Sequence, residues 1–236
     1  MKLLDWLRPS VFPLSEAHRE RLAGLPQPAP LSEGSLRAQR WVVLDLETSG
    51  LNVNRDQVLS IGAVAIHDGA IDFRQQFERT LYRPGQKTTP SVLIHGLGPS
   101  ALAAGSDPAE ALLDLMSFIG DSPVLAFHAP FDQGMLARAL KTSLGHRLQH
   151  PFIDVAELAP LLNPEVVLRE AGLDDWTAHF GLEVQERHHA AADAQVTAEL
   201  VLILFSQARR QQLDSPVQLQ QRLQQWRRRK VHNHGF

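Results

Sequence analysis

The sequence predicts an α/β fold in which a mixed β-sheet carries helices on its faces. Between residues 41 and 81, three strand-like segments follow one another through short connections, two of them apolar and partly β-branched and the third with apolar residues at 71, 73 and 77, which is typical of an antiparallel meander. From residue 107 onward, amphipathic segments alternate with short apolar segments, which favours helices packed on strands. Of the 236 residues, 44% are hydrophobic and 21% are charged, so a sizeable core is expected.

Composition excludes several classes of protein. The chain has no cysteine, which excludes disulfides, zinc–thiolate sites and iron–sulfur clusters and fits a reducing compartment. A net charge of −3 is unlike that of a protein that coats DNA, but it is compatible with an enzyme that holds a few nucleotides. Asp5 and Arg8 interrupt the apolar segment that a signal peptide needs, and no run of ~18 apolar residues is present. We therefore expect a cytoplasmic protein without a membrane span.

Residues 1–40 are predicted to form an N-terminal helical arm and a Pro-rich linker. Leucines at 3, 4 and 7 and again from 14 to 25 indicate two short helices, and the segment from Leu25 to Pro30 is too rich in proline for helix or sheet. Weak packing of the arm on the main domain is favoured over a loosely attached arm.

Residues 41–210 are predicted to form the main domain. The expected strands are, in order, residues 41–47, 58–66, 71–81, 123–127 and 152–155. A Gly-rich loop is expected over residues 91–105. Asp107 should cap the next helix, with Glu110 completing a capping box, and Asp174 or Asp175 should cap a later one. A long helix is expected from Ala190 to Arg210.

Residues 211–236 are predicted to form a C-terminal helix and basic tail. Asp214, Ser215 and Pro216 should start this helix, which ends in the run from Arg227 to Lys230. The basic run either contacts a nucleic-acid backbone or is an ordinary solvated helix end, which the helix dipole favours.

Two carboxylates, Asp45 and Glu47, stand one residue apart at the end of the first apolar strand. Residues i and i+2 of a strand point to the same face, so these side chains should lie together. Their repulsion would raise their pKa values on burial unless a cation were bound. A metal site and an ordinary strand end that runs into solvent are both compatible with this pair alone.

Two more acids fall at comparable places. Asp132 begins a helix after a later strand, and Asp193 lies in the first turn of the long helix, five residues after His188. Taken singly, each is a helix N-terminal acid that stabilises the helix dipole by ~0.3–1 kcal/mol.

Taken together, the motifs resemble those of the DEDDh exonucleases, the family of the proofreading subunit of bacterial DNA polymerase III. Asp45-Leu46-Glu47-Thr48-Ser49-Gly50-Leu51 resembles the first motif, Phe131-Asp132 the second, and His188-His189-Ala190-Ala191-Ala192-Asp193-Ala194 the third. Ile94-His95-Gly96-Leu97 resembles the substrate-side segment between the first two. Three motifs in the right order are far more specific than one. The resemblance covers residues 41–207 and implies a ribonuclease-H-like fold with a mixed five-stranded sheet and helices on both faces.

The resemblance also implies a two-metal site for Mg²⁺ or Mn²⁺, with two ions per site, since both ions prefer oxygen ligands. By match to the motifs, Asp45, Glu47 and Asp193 hold the first ion, Asp45 bridges to the second, and Asp132 supports the second. His188 is the implied general base, a role suited to imidazole near neutral pH. His189 is a poorer candidate because it stands four residues before Asp193, where the family has its histidine five before.

The remaining implied residues bind substrate. Thr48 and Leu51 match positions that pack against the terminal base and sugar, and His95 and Gly96 are expected near the terminal nucleotide. Phe131 either stacks under the last bases, worth ~1–3 kcal/mol per base, or belongs to the core. His128 stands where the family has asparagine, a departure that leaves open whether this position contacts the strand or braces its loop.

The expected function is that of a metal-dependent 3′→5′ exonuclease that releases nucleoside 5′-monophosphates from single-stranded DNA ends, of the proofreading or repair type. One alternative is a 3′→5′ exoribonuclease that trims RNA or oligonucleotides. Another is a catalytically weak module that binds nucleic acid or tethers a polymerase. Nucleic acid is the expected partner, with a polymerase or repair protein as a second.

Overall fold

The computed structural model describes residues 14–86, 95–168, 171–184 and 187–233. Along these residues come α1 (Glu16–Ala23), β1 (Trp41–Thr48), β2 (Val58–His67), β3 (Ala70–Thr80), α2 (Pro99–Ala103), α3 (Pro108–Ile119), β4 (Val124–Ala126), α4 (Ala129–Leu144), β5 (Phe152–Asp154), α5 (Val155–Leu162), α6 (Leu173–Phe180), α7 (Ala190–Arg210) and α8 (Pro216–Asn233).

The five strands form one mixed sheet in the order β3-β2-β1-β4-β5. β1 pairs antiparallel with β2, and β2 pairs antiparallel with β3. β4 is parallel to both β1 and β5. This confirms the predicted antiparallel meander and mixed sheet, and it places β1 at the centre of the sheet.

β1 is buried on both faces, and its alternating residues belong to two separate cores. Trp41 and Val43 pack with residues of α5, α6, α7 and α8. Val42, Leu44 and Leu46 pack with residues of α3 and α4 on the opposite face. Helices therefore cover both faces, as expected. Because side chains alternate along a strand, Asp45 and Glu47 continue the face of Trp41 and Val43, toward α7.

Gly62 allows α7 to approach the sheet unusually closely. It lies opposite Asp45 in the pairing of β1 with β2. A Cβ atom at this position would lie 2.1 Å from the carbonyl carbon of Ala190 and 2.2 Å from the backbone nitrogen of Ala191. The first turn of α7 thus rests directly on the backbone of β2, beside the carboxylates of β1.

The N-terminal helix α1 is docked on α3. His18 contacts Glu110 over 2.7 Å, and Arg21 pairs with both Glu110 and Asp114. The predicted N-cap is confirmed, because the Asp107 carboxylate accepts the backbone N–H groups of Ala109 and Glu110. The expected capping box does not form. The Glu110 side chain instead bonds to His18 and Arg21 of α1, which are charge-assisted partners.

The C-terminal helix α8 contributes to the core. Leu219 and Leu223 are fully buried in the cluster that contains α5 and α7, and Arg227 pairs with Glu157 of α5. The Ser215 hydroxyl accepts the backbone N–H of Gln218 at the start of the helix, as expected from the sequence. The division of the chain at residues 40 and 210 stays a prediction.

Two local expectations were wrong. The helix expected to be capped by Asp174 or Asp175 is α6, which begins earlier, at Leu173, with Gly172 in the capping position. The Asp175 carboxylate acts from inside the helix by accepting the Gly172 N–H at 3.0 Å. The loop expected over residues 91–105 contains the short helix α2, and residues 91–94 lie outside the described residues. Among the helices described, none is long and apolar enough to cross a bilayer.

Replacing Gly62 by alanine should force α7 away from β2. Since the new methyl group would meet backbone atoms, which cannot rotate aside, we expect a loss of about 1–3 kcal/mol in the free energy of unfolding, the usual cost of overpacking. Urea denaturation measures this loss. Gly34→Ala is the control, because its Cβ would meet only the Ser32 hydroxyl at 3.7 Å. Equal stability of the two variants would contradict the close packing.

Candidate metal centre

Three carboxylates converge where β1 ends and α7 begins. Asp45 and Glu47 come from β1, and Asp193 comes from the first turn of α7. One oxygen atom of each lies within 4.8 Å of the others, and among the described residues this is the group that could hold a metal ion. Asp132, buried in the first turn of α4, is close enough that its charge contributes to raising the pKa of Asp45. The structure therefore brings together all four acids predicted from the sequence.

The electrostatics of this cluster call for a cation. Burial, and then the charges of Asp132, Glu47 and Asp193, raise the pKa of Asp45 well above its usual value. Burial also raises the pKa of Asp132 well above the usual value. Carboxylate oxygens are the ligands that Mg²⁺ and Mn²⁺ prefer. Both the donor set and its negative charge, which Arg187 offsets only in part, thus fit divalent ions.

Two basic side chains lie against the carboxylates. Arg187 donates from one guanidinium nitrogen to Asp193 and from Nε to Asp174 of α6. His95 places Nδ1 against the Glu47 carboxylate. Burial raises the pKa of Asp193, whereas Arg187 opposes that rise. The sequence analysis missed Arg187; a basic residue directly before the third motif was the available signal.

His188 lies at the cluster in a backbone conformation that is rare outside glycine, with φ of 62°. Its N–H donates to Asp193 Oδ2 at 3.1 Å, and its ring centroid lies 6.2 Å from that of His95. Such left-handed residues cost about 1–3 kcal/mol and cluster at functional sites. His189 turns away and pairs with Glu78 of β3 at 3.2 Å. The geometry thus favours His188 over His189 as the histidine that serves the site.

His128 also adopts a left-handed conformation, with φ of 64° and ψ of 45°. Its N–H donates to Asp154 Oδ1 at 3.0 Å, and the same oxygen accepts the N–H of Ala156. Asparagine, aspartate and histidine are the non-glycine residues that tolerate this conformation best. The backbone requirement therefore gives a physical reason why histidine can stand where the family has asparagine. Asp154, which braces this turn, was not anticipated from the sequence.

The residues predicted to bind substrate lie in different surroundings. Leu51 is 84% exposed, an apolar side chain on the loop that follows β1. Thr48 instead donates its hydroxyl proton to the Gly50 carbonyl at 2.9 Å. Gly96 has φ of 64°, a conformation that glycine adopts readily. Phe131 is half-buried against the core on the α4 face, which is compatible with both a core role and stacking.

The loop between β1 and β2 is held by Asp56, which the sequence analysis did not single out. Its carboxylate accepts the Ser49 hydroxyl at 3.0 Å and the Asn52 N–H at 2.8 Å. A Cβ on Gly50 would lie 2.6 Å from that carboxylate. Gly50 is therefore needed for close packing at this turn, which fixes the loop that carries Leu51.

Comparison with protein families and curated sequences gives consistent matches. A family model described as "Exonuclease" (RNase_T) matches residues 42–201. The PolC-type DNA polymerase III of Clostridium perfringens is 30% identical over 169 residues, which are 70% of this chain and 11% of that protein. The PolC-type enzyme of Thermotoga maritima is 34% identical over 163 residues, 69% of this chain and 12% of that protein. The chain thus spans about an eighth of the length of these relatives.

Comparison with solved structures gives the same fold. Escherichia coli exonuclease I in complex with a dT13 oligonucleotide has a TM-score of 0.60 at 18% identity, covering 73% of this chain and 42% of that one. The zinc-bound form of its complex with single-stranded DNA also has a TM-score of 0.60 at 18% identity, covering 73% and 41%.

Replacing Asp45 by asparagine should stabilise the protein in the absence of metal. Because the folded-state pKa values of Asp45 and Asp132 are raised, the folded state binds more protons than the unfolded state. Stability therefore falls as pH rises from the unfolded pKa, about 3.9, through the folded values. The variant loses part of this repulsion, so its thermal midpoint should be higher at neutral pH and fall less as the pH is raised.

Asp68→Asn is the control, because Asp68 is an exposed turn residue whose φ of 51° asparagine also tolerates. In a second series Mg²⁺ should raise the midpoint of the wild type and not that of Asp45→Asn, since ligand binding to the folded state alone is stabilising. An Asp45→Asn variant that is less stable than wild type without metal would show that the carboxylates do not repel one another.

Proposed function

Because the chain belongs to the exonuclease family, we propose that it is a metal-dependent 3′→5′ exonuclease that acts on single-stranded DNA ends and releases nucleoside 5′-monophosphates. The observation that carries this proposal is the convergence of Asp45, Glu47 and Asp193 within 4.8 Å, with Asp132 beside them. Hydrolysis of a phosphodiester requires water to attack an anion, which this cluster without bound cations would repel. We therefore infer that the cluster binds cations.

Asp45, Glu47 and Asp193 would hold one Mg²⁺ or Mn²⁺ ion, and Asp45 and Asp132 would hold the second. When bound, a pair of such ions activates water and stabilises the leaving oxygen. The chain itself fixes the carboxylates: β1 aligns Asp45 and Glu47 on one face, and Gly62 lets α7 bring Asp193 to them.

His188 would act as general base by accepting the proton of the attacking water at a ring nitrogen. Its N–H bond to Asp193 and its left-handed backbone hold it beside the carboxylates. Imidazole gains and loses a proton near neutral pH, which suits this role. His189, engaged with Glu78, would take no part.

The strand would end against Leu51, His95 and Phe131, with Thr48, Gly96 and His128 shaping the pocket. DNA is favoured over RNA because the relatives are DNA polymerases and exonuclease I was solved with DNA oligonucleotides. Since those relatives are DNA polymerases, a polymerase or repair partner is part of the proposal. The exposed faces of α1 and α8 are the surfaces we assign to it.

His188→Ala should lower the hydrolysis rate by roughly 10²–10⁴-fold, the usual contribution of a general base, while stabilisation by Mg²⁺ persists. His189→Ala is the matched neighbour and should leave the rate unchanged, since its ring contacts only the edge of the sheet. Single-turnover rates on a short DNA substrate measure both. A large loss of rate in His189→Ala with a normal rate in His188→Ala would assign the general base to His189.

The proposal as a whole is tested by a time course on 5′-labelled single-stranded DNA and on RNA of the same sequence, with Mg²⁺ or Mn²⁺. We expect a ladder that shortens from the 3′ end, faster on DNA, with mononucleotide product. Excess EDTA and the Asp45→Asn variant should each stop the reaction.

Preferential degradation of RNA would make the protein an exoribonuclease. Residual hydrolysis in excess EDTA would contradict the metal mechanism. If the wild type cleaves neither DNA nor RNA, the protein is a nucleic-acid-binding module without activity. The His128→Asn variant would then test whether the departure from the family motif causes the loss.

A further inference from the structure

A polar cavity of about 210 Å³ lies between the end of the β1–β2 loop and α4. Two arginines, Arg83 and Arg138, line it. The other lining residues come from the end of the β1–β2 loop, the start of β2 and α4, and they are Asp56, Gln57, Val58, Met135, Ala139, Thr142 and Ser143. The family motifs do not include either arginine, and the metal centre does not use them.

The arginines are anchored by backbone carbonyls and not by carboxylates. Arg83 donates from Nε to the Val58 carbonyl at 3.2 Å and from a terminal nitrogen to the Tyr82 carbonyl at 3.3 Å. Arg138 donates to the Asp56 carbonyl. Within the described part of the chain, neither forms an ion pair with an acidic side chain. Each guanidinium carries five N–H groups, so donors remain on both.

Burial destabilises the charged form of Arg83. Burial lowers the pKa of Arg83, and the charge of Asp107 only partly opposes that effect. The Asp56 carboxylate also lines the cavity, but it bonds to the Ser49 hydroxyl and the Asn52 N–H and forms no ion pair with either guanidinium. Partly buried cations whose nearby carboxylates do not pair with them are stabilised when an anion binds. Two guanidinium groups are well suited to a phosphate, whose oxygens match their N–H geometry.

The position of the cavity relates it to the proposed substrate. Asp56, Gln57 and Val58 end the loop that carries Leu51, and Met135 lies three residues after Asp132 on α4. The cavity also shares Arg83, Thr142 and Ser143 with a larger groove of about 620 Å³ that extends toward α1. The two form a continuous path that runs from the end of the β1–β2 loop toward α1.

We propose that Arg83 and Arg138 form a subsite for a backbone phosphate of the single strand, upstream of the 3′-terminal nucleotide. This inference rests on the proposed function, since it assumes that a strand ends at the carboxylates. It assigns the polar cavity to strand binding, separate from the chemistry of cleavage.

Thr142→Glu tests the subsite without removing the arginine bonds that hold the fold. Thr142 is exposed and lines the cavity four residues after Arg138 on α4, so the new carboxylate reaches that guanidinium and occupies the place of the phosphate. Thr142→Gln is the isosteric control without charge. Gln224→Glu adds the same charge on an exposed position of α8 and controls for net charge.

Binding of a fluorescent phosphorothioate DNA strand of about 12 nucleotides is measured by anisotropy over a series of salt concentrations. For Thr142→Glu we expect about 5- to 30-fold weaker binding, the equivalent of one or two kcal/mol. The slope of log K against log salt should become shallower by about 0.7, the value for one phosphate contact on a single strand. Thr142→Gln should bind more tightly than Thr142→Glu and keep the wild-type salt slope, because it has the same size but no charge. Gln224→Glu should match the wild type, and thermal midpoints verify folding.

Equal affinity and slope for Thr142→Glu and Thr142→Gln would overturn the subsite. If free thymidine 5′-monophosphate loses affinity for Thr142→Glu while the long strand does not, the cavity binds product and the strand assignment is wrong. Hydrolysis of the p-nitrophenyl ester of thymidine 5′-monophosphate by the wild type, with Asp45→Asn as control, tests the metal site independently. Failure of the proposed function and failure of the subsite are thus distinguishable.

Discussion

The mutual repulsion of the buried carboxylates at the end of β1 is the constraint on which the rest of the structure depends. Three elements that are distant in sequence deliver four acids to this point, two from β1 and one each from α4 and α7, and burial raises the pKa of Asp45 and Asp132 as a consequence. Within the cluster, only Arg187 and His95 oppose this repulsion among the described residues. The arrangement has to be imposed by packing elsewhere: by a central strand buried on both faces, and by α7 lying directly on the backbone at Gly62.

The backbone beside the cluster is conformationally strained at two residues. His188 and His128 both adopt left-handed conformations, and each gives its N–H to an aspartate, Asp193 and Asp154 respectively. A charge-assisted hydrogen bond of this kind offsets part of the conformational strain. The two turns therefore fix the starts of α7 and α4, and with them the directions in which Asp193 and Asp132 point.

The sequence was sufficient to predict the strands along the chain, the mixed sheet and the places of the four acids, because these depend on local patterns: apolar alternation, helix capping and short motifs. Arg187, Asp154 and Gly62 were missed because their importance lies in contacts with residues far along the chain, such as Asp174, His128 and Ala190. A glycine within a strand was a readable signal of close backbone approach. The role of Glu110 was mispredicted for the same reason. Its side chain was expected to bond within the capping box of Asp107, but it bonds to Arg21, which lies 89 residues away in the chain.

The overall charge of −3 sets a condition on how such a protein could hold a nucleic acid. At physiological ionic strength charges are screened over about 8 Å, so groups beyond that distance hardly attract or repel the strand. Affinity must then come from the few cationic groups that lie within reach of it. At the carboxylate cluster, divalent ions would have to supply that positive charge, because Arg187 and His95 are already engaged with the acids. Away from the cluster, arginines held by backbone carbonyls keep their charge available, which is why Arg83 and Arg138 are better suited to contact a phosphate than the basic residues of the ion pairs on α1 and α8.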